Sequence, residues 1–278
     1  MKTIITAILS INLTACAHTL QYISPEKSIQ HCNLKWESLG KTSGYLKKHT
    51  PQGMEFIGDS LFLAISQNDK KTIIQKIVID NKSYTISSEF EMPSLAVHTS
   101  GLAWDDNHLW AVDYVSKMIY KIDIDASEKK GKAVILGQYN TGLEGAGSIA
   151  IIRFKGVKSI AVTDFMNTGR TYIIPITEIS NINKSKEIKS YKNAFFNQGI
   201  KYYKNYLIES HNALGRDIIY AINPEKAIDN DDYKSGIAFS FNAPNNMVED
   251  VAFHDGYIFT SDESTYQIYY AKLLQPCI

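Results

Sequence analysis

The chain has no net charge, with Lys plus Arg and Asp plus Glu both at 29. That balance leaves no basic face of the kind that nucleic-acid recognition needs. Cysteine is scarce, with three in 278 residues, and their positions, 16, 32 and 277, make no paired zinc-binding pattern. Long apolar runs are missing too: past the N-terminal segment none reaches the ~18 residues of a membrane-spanning helix. There is no Gly-x-Ser-x-Gly nucleophile turn, no His-Glu-x-x-His and no phosphate-binding glycine loop. These absences exclude the readily recognised hydrolases, nucleotide enzymes and nucleic-acid binders. What is present is a globular composition, 44% hydrophobic and 21% charged, with seventeen Tyr among many Val, Ile and Thr. That mixture favours strands.

The strands repeat. "SGLAWDDNHLWAVD" at Ser100 has counterparts in "QGMEFIGDSLFLAIS" at Gln52, "GSIAIIRFKGVKSIAVTD" at Gly147, "QGIKYYKNYLIES" at Gln198 and "EDVAFHDGYIFTSDE" at Glu249. The spacing is about 50 residues, and a third and usually a fourth strand-like segment follow each copy. Turn residues such as Gly58-Asp59, Asp106-Asn107, Lys204-Asn205 and Asp255-Gly256 separate the first two strands of a copy and tolerate positive φ. The third copy departs, with "RFKGVK" making a longer hairpin. A unit of four short strands, apolar on both faces and repeated, reads as the blade of a β-propeller. Gly53, Gly101 and Gly199 fall where the innermost strand begins, close to a crowded axis. Trp104 and Trp110 are expected to pack between blades.

Counting gives an all-β, five-bladed β-propeller of four-stranded antiparallel blades. The fifth copy stops before its fourth strand, while an orphan strand-like segment, "NLKWESLG", lies upstream at 33–40. If that segment completes the last blade, the ring closes with no exposed edge. Cys32 and Cys277 then flank adjacent strand ends, where other blades have a turn, and a disulfide between them would close the ring covalently; two free thiols are the alternative.

The N-terminus, "MKTIITAILSINLTACA", has a short positive start and an apolar stretch too short to span a bilayer. Its Leu13-Thr14-Ala15-Cys16 resembles the lipobox of bacterial lipoproteins, which implies cleavage after residue 15 and lipidation of Cys16; an ordinary secretory signal is the alternative. In lipoproteins generally, a residue other than Asp after the cysteine, here Ala17, goes with export to the outer membrane. The expected organisation is a signal peptide at 1–15, a lipidated tether at 16–32 and the propeller at 33–278.

The blade pattern is similar to the broad propeller group that includes the NHL-type, YncE-like and plant-type glutaminyl-peptide cyclotransferase families. "QGIKYYKNYLIESHNALG" at 198–215 resembles the Gln-Gly…Glu-Ser segment of the cyclotransferases. That resemblance implies Glu209 as an acid/base and Gln198 as a polar group facing substrate. It departs in continuing with His211-Asn212 where the family has Thr-Gly, and in falling outside the first blade.

Other candidates follow from position. Gln52, Ser100, Gln198, Glu249 and Asp250 flank the start of the innermost strands and should make one channel mouth polar, a place where a ligand could bind. Asp113, Asp164 and Asp262 fall at the ends of second strands with Glu209. They could ring the channel as calcium ligands, but short carboxylates there commonly bond the backbone of the next turn. No other cofactor is expected. "DNDD" at 229–232 and "SEKKGK" at 127–132 read as solvated turn and exposed loop. The leading expectation is a monomeric, lipid-anchored propeller of the bacterial envelope that binds a protein, peptide or glycan. The alternative is a small-molecule enzyme at the channel mouth, cyclotransferase-like or a metal-dependent lactonase. A deep pocket holding Glu209 with His211 or Trp104 would favour the enzyme, and a shallow apolar-rimmed face would favour a partner.

Overall fold

A computed structural model of the chain describes residues 29–273, apart from 144, 166–168, 195, 213–216 and 246, and apart from the side chains of 183 and 184. The expected signal peptide, Cys16 and Cys277 lie outside the described residues. Two short strands come first, β1 (Gln30–Cys32) and β2 (Trp36–Lys41). The first blade is β3 (Thr50–Ile57), β4 (Ser60–Ser66), β5 (Thr72–Asp80) and β6 (Ser83–Glu91). The second is β7 (Thr99–Trp104), β8 (Leu109–Asp113), β9 (Met118–Asp123) and β10 (Val134–Asn140). The third is β11 (Ala146–Phe154), β12 (Val157–Asp164), β13 (Arg170–Pro175) and β14 (Lys189–Lys192). The fourth is β15 (Asn197–Tyr203), β16 (Tyr206–His211), β17 (Ile218–Ile222) and β18 (Ile237–Asn242). The fifth has β19 (Val248–His254), β20 (Tyr257–Asp262) and β21 (Gln267–Lys272), and β2 pairs antiparallel with β21 as its fourth strand. The five-bladed architecture and its closure by an N-terminal strand are as the repeats predict.

Each blade is apolar on both faces because each is sandwiched. Five hydrophobic clusters lie one between each pair of neighbouring blades. Trp110 is buried between the second and third blades, and Trp104 packs between the first and second. At the axis the inner strands approach so closely that a Cβ on Gly53 would come within 2.6 Å of the Gly101 backbone, and one on Gly199 within 2.6 Å of Asp250 Cα. Only glycine permits that approach.

Closure goes further than the tether at 16–32 suggests. β1 adds to β18 in parallel, so the fourth blade has five strands. Asn242 holds the link between β1 and β2: its Oδ1 accepts from Leu34 N (2.5 Å), its Nδ2 donates to Leu34 O (3.1 Å), and its carbonyl accepts from Trp36 Nε1 (2.9 Å). One short segment thereby fastens the last two blades together.

Two local expectations change. The third blade's hairpin is long because its strands are long; the turn is only Lys155-Gly156, both at positive φ. The stretch at 127–132 is mostly helical: α1 (Ile124–Lys130) is capped by Asp123, whose side chain accepts from Ala126 N, and ends at Gly131 with φ 65°. The fourth blade has α2 (Pro224–Asp229) and α3 (Tyr233–Gly236) at the equivalent place, and of "DNDD" Asp229 ends α2, Asn230 and Asp231 turn, and Asp232 caps α3. No helix among the described residues is long and apolar enough to cross a membrane.

Candidate functional site

The five inner strands all start at the same end of the axis, and in each the ladder with the second strand is interrupted there. The register shifts lie between Pro51 and Met54, Thr99 and Gly101, Ala146 and Ser148, Asn197 and Gly199, and Val248 and Val251. A bulge frees a residue from strand pairing and re-aims it. The freed residues include Gln52, Ser100, Gly147, Gln198 and Glu249, and all five line one pocket of about 220 Å3 at the channel mouth. Four of them are the residues whose positions predicted a polar mouth; Gly147 completes the ring.

A second tier comes from the turns after the second strands. Tyr114, Phe165 and Glu263 each follow the aspartate that ends such a strand, and all three line the pocket. His98 spans the first blade's share of the rim, with Nδ1 2.6 Å from Asp69 Oδ1 and Nε2 2.9 Å from Gln52 Oε1. The rings of His98, Tyr114, Phe165 and Phe196 form a continuous arc with successive centroids 5.7, 5.8 and 5.6 Å apart. Opposite stands Glu249. Burial holds its carboxyl well above the usual carboxylate range, and Glu263, close enough to share a hydrogen bond, raises it further. Gln198 Nε2 also donates to Glu249 Oε1 at 3.4 Å. Behind them Asp217, which accepts from Val248 N at 2.6 Å, is pushed up to about 7 by burial.

Asp250 does not belong to the mouth. It is fully buried one residue below, where its Oδ2 accepts from Met54 N (3.0 Å) and Lys201 Nζ (2.8 Å). The same ammonium donates to Leu102 O at 2.6 Å and lies 3.8 Å from Glu55 Oε2. Lys201 therefore ties four blades together at the axis, and the channel is plugged there. Burial pushes Glu55 up to about 7 even with Lys201 beside it.

Two of the second-strand aspartates cap turns. Asp113 accepts from His98 N and Ser116 N, both at 2.7 Å. Asp262 accepts from Thr265 N (2.7 Å), Thr265 Oγ1 (2.8 Å) and Ser264 Oγ (2.7 Å). Asp164 is fully buried. Among the described residues no three His, Cys, Asp or Glu gather as metal ligands would. Glu209 is buried between the third and fourth blades, accepting from Tyr191 OH (2.5 Å) and Thr171 Oγ1 (3.1 Å), with His211 Nε2 3.1 Å away. Ser210 turns the other way and donates to Glu249 O. Neither Glu209, His211 nor Trp104 lines the mouth pocket.

No family model matches the sequence, and no curated protein matches it. Solved structures do. The glutaminyl cyclase of Myxococcus xanthus superposes with a TM-score of 0.60 at 8% identity, covering 87% of this chain and 98% of that one. The likeness is one of fold. A gluconolactonase from Xanthomonas campestris follows at TM-score 0.48 and 11% identity, over 87% of this chain and 90% of its own. A nidogen/laminin complex contributes a chain at 0.44 and 11%, over 74% and 85%.

The aromatic and acidic second tier is what the sequence reading overlooks. Its signal lay in the repeat itself: Asp113-Tyr114, Asp164-Phe165 and Asp262-Glu263 are the same blade position three times over.

Proposed function

We propose that this chain is a lipid-anchored binding module of the bacterial cell envelope, and that it engages a protein, peptide or glycan partner through the mouth face. The observation that carries this reading is the size and setting of the mouth pocket. At about 220 Å3 it is smaller than the ~300–1,000 Å3 of sites that bury a drug-sized molecule. It suits a single group projecting from something larger. The rim agrees: Leu46 (81% exposed), Leu95 (67%) and Val115 (50%) all sit on connections at the mouth end of the blades. Exposed apolar residues at this end of the blades are what a docking partner would cover.

The anchor rests on the Leu13-Thr14-Ala15-Cys16 motif, and the outer membrane on Ala17. The Cys32–Cys277 disulfide is part of the same reading. Cys32 is buried in the cluster between the fourth and fifth blades against which Leu273 also packs, four residues before Cys277.

A photo-crosslinking residue at Val115, introduced in cells, tests the partner. Val157, equally exposed but at the opposite end of the blades, is the control. A discrete adduct from 115 and none from 157 supports the reading; equal capture from both, or none from 115, overturns it. Cys16→Ser should move the protein out of the membrane fraction, and unchanged partitioning would refute lipidation.

One observation favours a second, enzymatic reading. Burial and Glu263 raise the carboxyl of Glu249 well above the usual carboxylate range in the mouth of a fold shared with a glutaminyl cyclase, and a buried acid of that kind can donate a proton to a reacting group. Ammonia released from an N-terminal glutaminyl peptide, and abolished by Glu249→Gln, would establish it.

A further inference from the structure

The two walls of the mouth pocket differ in chemistry. One is aromatic, built by Tyr114 and Phe165 and extended by Phe196. Phe196 takes φ 60°, a region bulky residues rarely enter, and its N–H donates to Phe165 O at 3.1 Å. The other wall is acidic, made by Glu249 and Glu263. Neither Lys nor Arg is among the described residues lining the pocket, and Lys201 beneath is engaged by Asp250. A protonated His98 would have its charge matched by Asp69. An aromatic wall facing carboxylates without a cation is the arrangement that captures a ligand cation.

We propose that the mouth pocket is an ammonium site, taking a primary ammonium from a partner's lysine side chain or free N-terminus between Glu249 and Glu263 on one side and Tyr114 and Phe165 on the other. This rests on the reading of the mouth as a binding face and names what it binds. Its fivefold bulge supports the choice of place. Every blade breaks its inner ladder to present a residue here, and four of the five present one with a polar side chain.

Binding is coupled to protons. Burial and the neighbouring Glu263 favour the protonated form of Glu249, and an arriving ammonium opposes that by favouring the carboxylate. Among the described residues, the charged groups around the pair are Asp217 and Asp262 behind, Asp250 with Lys201 below, and His98 and Asp69 across the pocket. Affinity should therefore rise with pH, with proton release.

Calorimetry on the purified full chain tests this with three probes. Nα-acetyl-lysine methylamide supplies a side-chain ammonium, alanine amide an N-terminal one, and Nα,Nε-diacetyl-lysine methylamide neither. Saturable binding of either amine, absent for the diacetyl compound, is expected, and the better amine identifies the source. Glu263→Gln should weaken binding roughly tenfold or more, and Tyr114→Leu roughly two- to fivefold. Unfolding curves verify that both variants are folded. Equal binding of the diacetyl probe, no binding of either amine, or undiminished binding by folded Glu263→Gln overturns the proposal. Crosslinking from position 115 fails separately. A partner captured there with no amine bound refutes the ammonium alone, and amines bound with no partner captured refute the docking face alone.

Discussion

Glu249 and Asp250 are neighbours in one strand, yet they belong to two opposite kinds of polar cluster. Asp250, in the axial plug, meets a backbone N–H from another blade and an ammonium from a third, and that ammonium has a backbone carbonyl as well. Its charges are matched inside the chain. Glu249, in the mouth, meets a second carboxylate and an amide, and the wall across from it is aromatic. Among the described residues that line the mouth, no Lys or Arg stands beside it. A polar group buried and satisfied holds a fold together; one buried beside its like is costly and awaits something. The plug is where stability should be lost on mutation, and the mouth is where binding should be.

The sharpest way to break this comparison is Lys201→Met. It leaves Asp250 buried without its counter-charge, which typically costs 3–5 kcal/mol. A fall of that size in denaturant unfolding is expected, with part recovered by adding Asp250→Asn. A loss under about 1 kcal/mol would mean the plug does not hold the blades.

Next in size is the pH dependence of the plug. Glu55 has its carboxyl pushed from 4.5 to about 7 by burial. The folded state then binds a proton that the unfolded state has released. Stability is fully present below about 4.5 and is lost as pH rises through about 7, by something on the order of 3 kcal/mol. Asp217, also raised to about 7, adds a slope of the same sign. Glu55→Gln should flatten, without abolishing, the decline measured between pH 5 and pH 8.

The ring's fastening is a smaller lever. Asn242→Ala removes both side-chain bonds to Leu34 at a partly buried site, for a cost of about 1–2 kcal/mol. Unfolding at pH 7 measures it, and an unchanged midpoint would show that β1 and β2 close the ring without that asparagine.

Legibility in the sequence divides along the same lines. Blades were readable because the period of about 50 residues recurs and each turn carries its own chemistry. Gln52, Ser100, Gln198 and Glu249 could be placed at the mouth because a residue just before an inner-strand glycine, or its equivalent, can only lie at the start of the axis. Lys201 could not be read, since its partners Leu102 and Asp250 are 99 and 49 residues away and no local pattern announces a buried lysine. β1 was hidden for the same reason: its three residues pair in parallel with a strand more than two hundred residues on. Helix α1 was different. Asp123 and Gly131 mark both its ends, but the charged run between them resembles solvent-exposed loop. Glu209, suggested by resemblance to a motif, sits among Tyr191, Thr171 and His211 in the wall between blades, because an outward turn of one residue decides which interface a strand side chain enters.

The smallest expected effect on stability is the most telling. Glu249→Gln exchanges a carboxyl whose protonated form burial favours for an amide of the same shape. At acidic pH the fold should not notice, and as pH rises the variant should gain stability relative to wild type, because wild type must either keep an unfavourable proton or bury a second negative charge beside Glu263. The same substitution should weaken the amine probes, since an amide cannot become the anion an ammonium needs. A variant that is as stable or more so, and binds worse, is the signature of a group kept for function. If Glu249→Gln instead unfolds the protein as Lys201→Met is expected to, the mouth and the plug are one structural cluster, and the division between them falls.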